Sequence, residues 1–354
     1  MNKQFNIADD TITTQITVTN GFFDGGVGTL AGSSLATSSL SATQKSYYYN
    51  LQYNSKDHFS VTYGHILGSG SAEESTNVEG TTQAIYKQFF NFTEPSAENL
   101  RDGAGWSMVD GTNGVNAVTQ EGVYILAAER LQMKDRLNPG TWTINLSGSN
   151  TAGVAASLSL TDDSKTVDAE SAPFGPRYHI VEGSAGTVTT AYTTKTYGFF
   201  YPDAGLMVLS ANALSSSIPG DPVMITSGSG TLGFTGTGLA QDLTVTDSTD
   251  NAAKLVLAMQ KGTGVTLRSE EQQYVFDYFC RAKASEFNLS QNITFWSGSD
   301  YTIRHADMVT NPQVYISEVG LYDDQNNLIA VGRLSSPINK NFSSEAIVKV
   351  RLTY

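Results

Sequence analysis

One cysteine, Cys280, stands in a chain of 354 residues, so no disulfide can close within it. Such sparing use of cysteine points to folding in a reducing cytosol. Histidine is nearly as scarce. The four, His58, His65, His179 and His305, are far apart, include no i,i+4 pair and have no cysteine beside them, so the spacing of a zinc site is missing. Charged residues amount to 16% of the chain, against a usual share of about a quarter. Only 21 are basic while 34 are acidic, for a net charge of −13. Counterion release on nucleic acid requires lysines and arginines gathered on one face, and here they are scattered. The same shortage disfavours an anionic membrane surface. No run approaches the ~18 consecutive apolar residues of a membrane span, and Met1 to Asp10 has no apolar stretch of signal-peptide length. The expectation is a soluble product made inside the cell, with no nucleic acid and no membrane among its partners.

In place of charge the chain has 33 glycines, many Ser, Thr and Asn, 17 tyrosines and 16 phenylalanines. Threonine and aromatics fit pleated surfaces, and glycine makes turns, so the profile is β-rich. A hydrophobic content of 40% is ordinary for a globular chain, and this length can bury one large core or two ordinary ones. Residues 11 to 19 alternate Ile12, Ile16 and Val18 with Thr and Gln, an early strand or extended arm. A Gly/Ser-rich loop with one apolar anchor, Phe22-Phe23, follows to residue 41. Tyr47, Tyr49, Leu51 and Tyr53 share a face, and after the turn 54–57 the alternation resumes through Phe59 to Leu67, which makes a hairpin. Thr82 to Phe92 fits a short helix. Val123 to Arg136 fits either a strand followed by a helical turn or one continuous helix. Thr141 to Leu146 is a clean strand. Strand-sized apolar runs then recur at 154–160, 178–181, 206–209, 222–226, 243–246 and 255–259 between Gly/Ser/Asp clusters, a spacing that favours a sandwich or barrel.

Ser269-Glu-Glu-Gln272 has the form of a capping box, and Tyr274, Val275, Tyr278, Phe279 and Ala282 after it suggest the apolar stripe of a helix ending near Glu286. Next, Gln313 to Tyr322 and Leu328 to Leu334 flank the polar cluster 323–327, the pattern of a hairpin. Val348, Val350, Leu352 and Tyr354 alternate with Lys349, Arg351 and Thr353, so one face is apolar and the other wet. Residues 312–354 thus read as a three-strand sheet whose last strand is tied down at its end. The organisation expected is an N-terminal strand or arm over 1–20, a β-rich domain over 21–250, and a C-terminal helix plus β-hairpin docking module over 251–354. The fold class is mainly β with one or two short helices, an antiparallel sandwich or barrel-like domain carrying that module.

Motifs with chemistry are few. Gly228-Ser-Gly-Thr-Leu-Gly233 matches the dinucleotide pattern by letter, but Phe234-Thr-Gly-Thr-Gly238 will not open the helix that would meet a pyrophosphate. No serine occupies a nucleophile elbow, and Cys280, inside the apolar stripe, fits a buried small hydrophobe. The acidic stretches 161–168 and 323–327 lack the register of a calcium loop and suit turns. No catalytic, cofactor or metal residue is expected, and no enzyme.

Several blocks together resemble virion structural proteins of contractile-tailed bacteriophages, especially those of cyanobacteria. They are Tyr47-Tyr-Tyr49 with Phe59-Ser-Val-Thr-Tyr-Gly-His65 and Gly68-Ser-Gly-Ser71, Lys134 to Trp142, Tyr197 to Gly205, Phe279-Cys-Arg-Ala282 with Glu286-Phe-Asn288, and the closing hairpin. The hairpin by itself also resembles a module of tail-fibre and baseplate proteins. The resemblance implies a particle component, a tail or baseplate part or a fibre-anchoring subunit, that assembles with other virion proteins as a homo-oligomer in a symmetric structure, with the virion as its location. The expected interface residues are Tyr315, Val319, Leu321, Tyr322, Arg333 and Tyr354. The alternatives are a head or neck (decoration or collar) protein, or a receptor- or glycan-binding tail-fibre protein using Trp106, Trp142 and Trp296.

Overall fold

The computed structural model describes residues 3–37, 48–67, 81–94, 105–109, 111, 116–220, 238–239, 249–290, 292–298, 300 and 302–354. The chain forms two compact units. One is the continuous segment Val18–Glu271; the other joins Met1–Thr17 to Gln272–Tyr354. The protein is mainly β, with six short helices among the described residues. Its longer strands, in chain order, are β1 (Thr11–Gly21), β2 (Tyr48–Tyr53), β3 (Lys56–His65), β4 (Gly122–Ala128), β5 (Thr143–Ser149), β6 (Ala155–Asp162), β7 (Gly175–Ser184), β8 (Gly198–Tyr201), β9 (Leu206–Ser210), β10 (Arg268–Ala282), β11 (Val314–Tyr322), β12 (Leu328–Lys340) and β13 (Ala346–Thr353). The longer helices are α1 (Thr81–Thr93), α2 (Ala211–Ser217) and α3 (Thr249–Lys261).

In the continuous unit, strands run β5-β6-β7-β8-β9-β4-β3-β2 across one antiparallel sheet, extended by short strands at both ends and curled into a half-barrel. The hairpin between β2 and β3 turns on Asn54 and Ser55, both at positive φ (51° and 61°), the geometry that matches the twist of the flanking strands. The central strands are buried on both faces, because successive side chains enter different cores. Tyr124 and Leu126 of β4 join one cluster and Val123 and Ile125 the other. In the same way Met207 and Leu209 of β9 oppose Leu206 and Val208. The first cluster contains α3, whose Ala252, Leu255, Val256 and Met259 are buried at helical spacing. The second contains α1, whose Tyr86 and Phe90 pack edge-on against Trp106. Burial pushes the Tyr86 hydroxyl well above the usual tyrosine range, and it donates to the Gln120 carbonyl at 2.6 Å.

Three expectations need correction. The segment 269–286 is no helix: residues 268–282 are β10, fifteen residues long. Tyr274, Val275, Phe276, Tyr278 and Phe279 are β-formers, and β13 pairs with β10 in register, Val350 opposite Tyr278 and Arg351 opposite Asp277. The apolar run 255–259 belongs to α3 instead of a strand; its residues fill a core at i, i+3, i+4 and i+7. The last three strands exist but do not form one sheet. Among the described strands β11 and β12 pair only with each other, whereas β13 lies in one sheet with β10 and β1. The segment 123–136 resolves as strand β4 followed by the short helix Arg130–Met133. The runs 222–226 and 243–246, the glycine pattern 228–233 and the block 68–71 lie outside the described residues.

Candidate interaction surface

The discontinuous unit is a small two-layer sandwich. β10 supplies Tyr278 and Cys280 to its core, β13 supplies Val348, Val350 and Leu352, and the hairpin β11–β12 covers them with Val319, Leu321, Ala330, Leu334 and Ile338. Phe5 packs edge-on against Tyr278 at 5.9 Å. The wet face expected for β13 is present: Ile347, Lys349, Arg351 and Thr353 are exposed and alternate with Ala346, Val348 and Val350, which are buried. On that face Asp277 of β10 accepts from Arg351 Nε and Nη2 at 2.8 and 3.0 Å, and Lys349 Nζ lies 2.7 Å away. These partners, Arg351 first, hold the Asp277 carboxyl well below the usual range.

At the far end of the hairpin, Lys340 is fully buried. Its ammonium donates to the Ala284 carbonyl (3.1 Å), Asn288 Oδ1 (2.7 Å) and the Asn341 carbonyl (2.8 Å). It ties the loop after β10 to the end of β12. At the other end, Asp323 Oδ1 accepts from the backbone of Gln325 (2.9 Å) and Asn327 (2.7 Å), and Asn326 takes a positive φ of 62°. These carboxylate contacts build a turn, and Asn327 keeps the Asp323 carboxyl low.

Among the described residues little covers the outer face of the hairpin. Of the six residues expected at an interface, Tyr315, Tyr322, Arg333 and Tyr354 are exposed; Leu321 is buried and Val319 half-buried in the sandwich core. The structure therefore separates the set into an outward group and an inward supporting group. Sequence reasoning missed Leu328, Ile329 and Val331, which are 53 to 59% exposed. Tyr322 pairs with Leu328, and Gly320 with Val331. A Cβ at Gly320 would stand 3.0 Å from Tyr322 Cε2 and 3.3 Å from Leu328 Cδ1, so this glycine lets the ring and the leucine lie down on the sheet. The result is a continuous apolar patch at the turn end of the hairpin. Beside it, Arg333 and Glu318 pair at 3.4 Å, both largely exposed, a bridge worth little in water.

The polar clusters of the larger unit do different work. Both Asp162 oxygens accept from the Gly140 amide, at 2.9 and 2.8 Å. Asp163 accepts from the His179 amide at 3.1 Å and faces its Nδ1 at 3.2 Å. Tyr192 stacks on that imidazole at 4.3 Å. The carboxylates of 161–168 thus hold backbone and a neighbouring ring. His58 sits among Phe22, Phe23 and Tyr53; its Nε2 accepts from the Asp24 amide at 3.1 Å, so Nδ1 donates to the Lys56 carbonyl at 2.9 Å. Among the described residues no three His, Cys, Asp or Glu side chains converge as a metal set. Cys280 is half-buried in the sandwich, and burial raises its thiol. A cavity of ≈ 250 Å³ beside Ser269 has polar lining from Asn20, Gln132 and Lys134, and the Lys134 ammonium is bound by Glu271. Trp106 and Trp142 are buried, out of reach of a sugar ring, and the half-buried Trp296 donates its indole N–H to Ser290 at 2.9 Å.

Comparison of the chain with protein-family models, curated proteins and solved structures finds no match.

Proposed function

We propose that this chain is a structural subunit of a tailed-phage particle, at the tail or baseplate, and that it docks a neighbouring virion protein through the outer face of the β11–β12 hairpin. One observation supports this above the others: Tyr322, Leu328, Ile329 and Val331 form an exposed apolar patch on a sheet whose inner face is anchored in a core. Patches of this kind mark interaction sites, and a rigid support lowers the entropy lost on docking. Aromatic anchors surrounded by a charged rim, here Tyr322 with Arg333 and Glu318 nearby, match the anatomy of protein interfaces. The sequence blocks that resemble contractile-tail proteins, the hairpin among them, supply the particle context.

Deleting residues 312–354 would be a poor test, since it removes most of the sandwich core along with the patch. Point changes on the outer face separate the two. Tyr322→Ser combined with Val331→Ser leaves the inward residues in place and is expected to keep the unit folded while incorporation into particles falls at least about tenfold, the loss of a central aromatic anchor. Normal incorporation of this folded double variant overturns the proposal.

A further inference from the structure

Strand β1 is an edge strand, hydrogen-bonded to β10 on one side only among the described strands. Its residues Ile12 to Thr17 are exposed on both faces, with Ile12 54% and Ile16 39% accessible. Exposed edges invite pairing with another chain, and proteins normally blunt them with charge, proline or bulges. The other open edges of the same unit are blunted in this way. β13 carries Lys349 and Arg351, β12 carries Arg333 and Pro337, and β11 has Glu318 beside an irregularity in register. β1 has no charged residue and no proline from Thr11 to Gly21.

The segment Thr11-Ile12-Thr13-Thr14-Gln15-Ile16-Thr17 is nearly the same read in either direction about Thr14. Laid antiparallel against a second copy with Thr14 opposite Thr14, it places Thr11 opposite Thr17, Ile12 opposite Ile16 and Thr13 opposite Gln15. This is the register in which both isoleucines of each strand meet isoleucines. Residues opposite each other share a face, so two Ile–Ile pairs form on one side of the joined sheet with the Thr14–Thr14 pair between them, while the Thr11–Thr17 pairs lie on the other side. Such an arrangement has twofold symmetry by construction. The acidic pair Asp9 and Asp10 selects antiparallel over parallel. In the antiparallel register Asp10 of one copy lies eight residues, about 27 Å at ~3.4 Å per residue, from Asp10 of the other, well beyond a Debye length of ~8 Å. A parallel in-register pair would set them side by side.

We propose that β1 is a self-association site, and that two copies of this chain join edge to edge through residues 11–17 about a twofold axis at Thr14. Seven residues a side give roughly six to eight backbone hydrogen bonds and bury less than the ~1,200 Å² of a standard interface, so the dimer forms at high local concentration. With −13 on each chain, added salt strengthens it by screening the mutual repulsion.

The test is the mass of the full chain by sedimentation over a concentration series, beside cross-linking. The expected result is a concentration-dependent rise from 37.9 kDa to twice that mass, favoured by salt. Thr14→Lys, at an exposed position, brings two like charges together and is expected to weaken the dimer at least about tenfold. Thr14→Cys is expected to form an intermolecular disulfide under mild oxidation, since directly opposed strand residues meet the required spacing. Thr13→Cys and Gln15→Cys cross-link efficiently only when the two variants are mixed. A chain that stays at 37.9 kDa throughout, a dimer indifferent to Thr14→Lys in folded protein, or cross-linking in another register overturns the proposal.

Discussion

Lys340 has the most at stake of any single side chain in the smaller unit. A lysine with no exposed surface survives because three oxygens, from Ala284, Asn288 and Asn341, take its three N–H donors. Lys340→Met keeps most of the volume but leaves three acceptors without their donor, one of them on the buried Asn288 and two partly buried. It is expected to destabilise this unit by about 1–3 kcal/mol, read as a lower urea midpoint. An unchanged midpoint would show that the clamp contributes nothing net. His65 gives a second residue-scale prediction. Burial pushes its imidazole below the ordinary histidine range, while Nδ1 accepts from the Leu67 amide at 3.2 Å. The unfolded chain therefore takes up this proton at a higher pH than the folded one, and stability falls as pH drops below about 6.5. In His65→Gln the slope of stability between pH 7 and 5.5 is expected to flatten, measured by urea unfolding at each pH. An undiminished slope assigns it to other groups.

At the scale of elements, β10 shows how charge is built into a strand. Asp277 lies opposite Arg351 and beside Lys349, and its carboxyl is held below the usual range by both. A depressed carboxylate contributes stability that is complete above its unfolded value near 4 and is lost as pH falls further. Asp277→Asn is thus expected to weaken the β10–β13 pairing at pH 7 and to remove part of the acid sensitivity below pH 4, followed by circular dichroism in an acid titration. Acid sensitivity identical to that of the parent chain would contradict the role given to Asp277. The same strand explains where sequence reading failed. Tyr274, Tyr278 and Ala282 recur at i, i+4 and i+8, and Ser269 with Gln272 imitates a helix start, so a local pattern outweighed the β propensity of the residues between. Only the partner strand β13, some seventy residues on, decides the matter. The α3 run failed in reverse: Leu255 to Met259 is uninterruptedly apolar because the half-barrel surrounds much of the helix, and a short apolar run does not announce its period. By contrast β13 and the β2–β3 hairpin were legible: β13 has one buried face and strict alternation, and in β3 the apolar Phe59, Val61 and Tyr63 alternate with small or polar residues even though most of those are buried too. On the outer face of the hairpin Tyr315 and Tyr322 were named from the sequence and are exposed, whereas Leu328, Ile329 and Val331 escaped notice. An apolar residue in a strand reads as core unless its partner's register fixes which face it occupies.

At the scale of the whole molecule, the chain enters and leaves its larger unit within strands. The boundaries Thr17/Val18 and Glu271/Gln272 fall inside β1 and β10, and no sequence signal of a linker marks either. Yet each core cluster stays within one unit. The two clusters of the half-barrel draw on residues 22–267, and the sandwich cluster on Phe5 and residues 278–352. A unit that holds its own core is able to fold alone, so residues 18–271 expressed by themselves are expected to form the half-barrel. Trp106 and Trp142, both buried in that unit, are convenient reporters, with Trp296 left out of the segment. The expected outcome is blue-shifted tryptophan emission that moves red in a single cooperative transition on adding urea, as small-domain unfolding does. Full-length protein should then show a second transition reported by Trp296 and absent from the segment. If residues 18–271 emit like an unfolded chain or lose structure gradually, the half-barrel depends on strands β1 and β10 being held at their far ends, and the two cores form one folding unit.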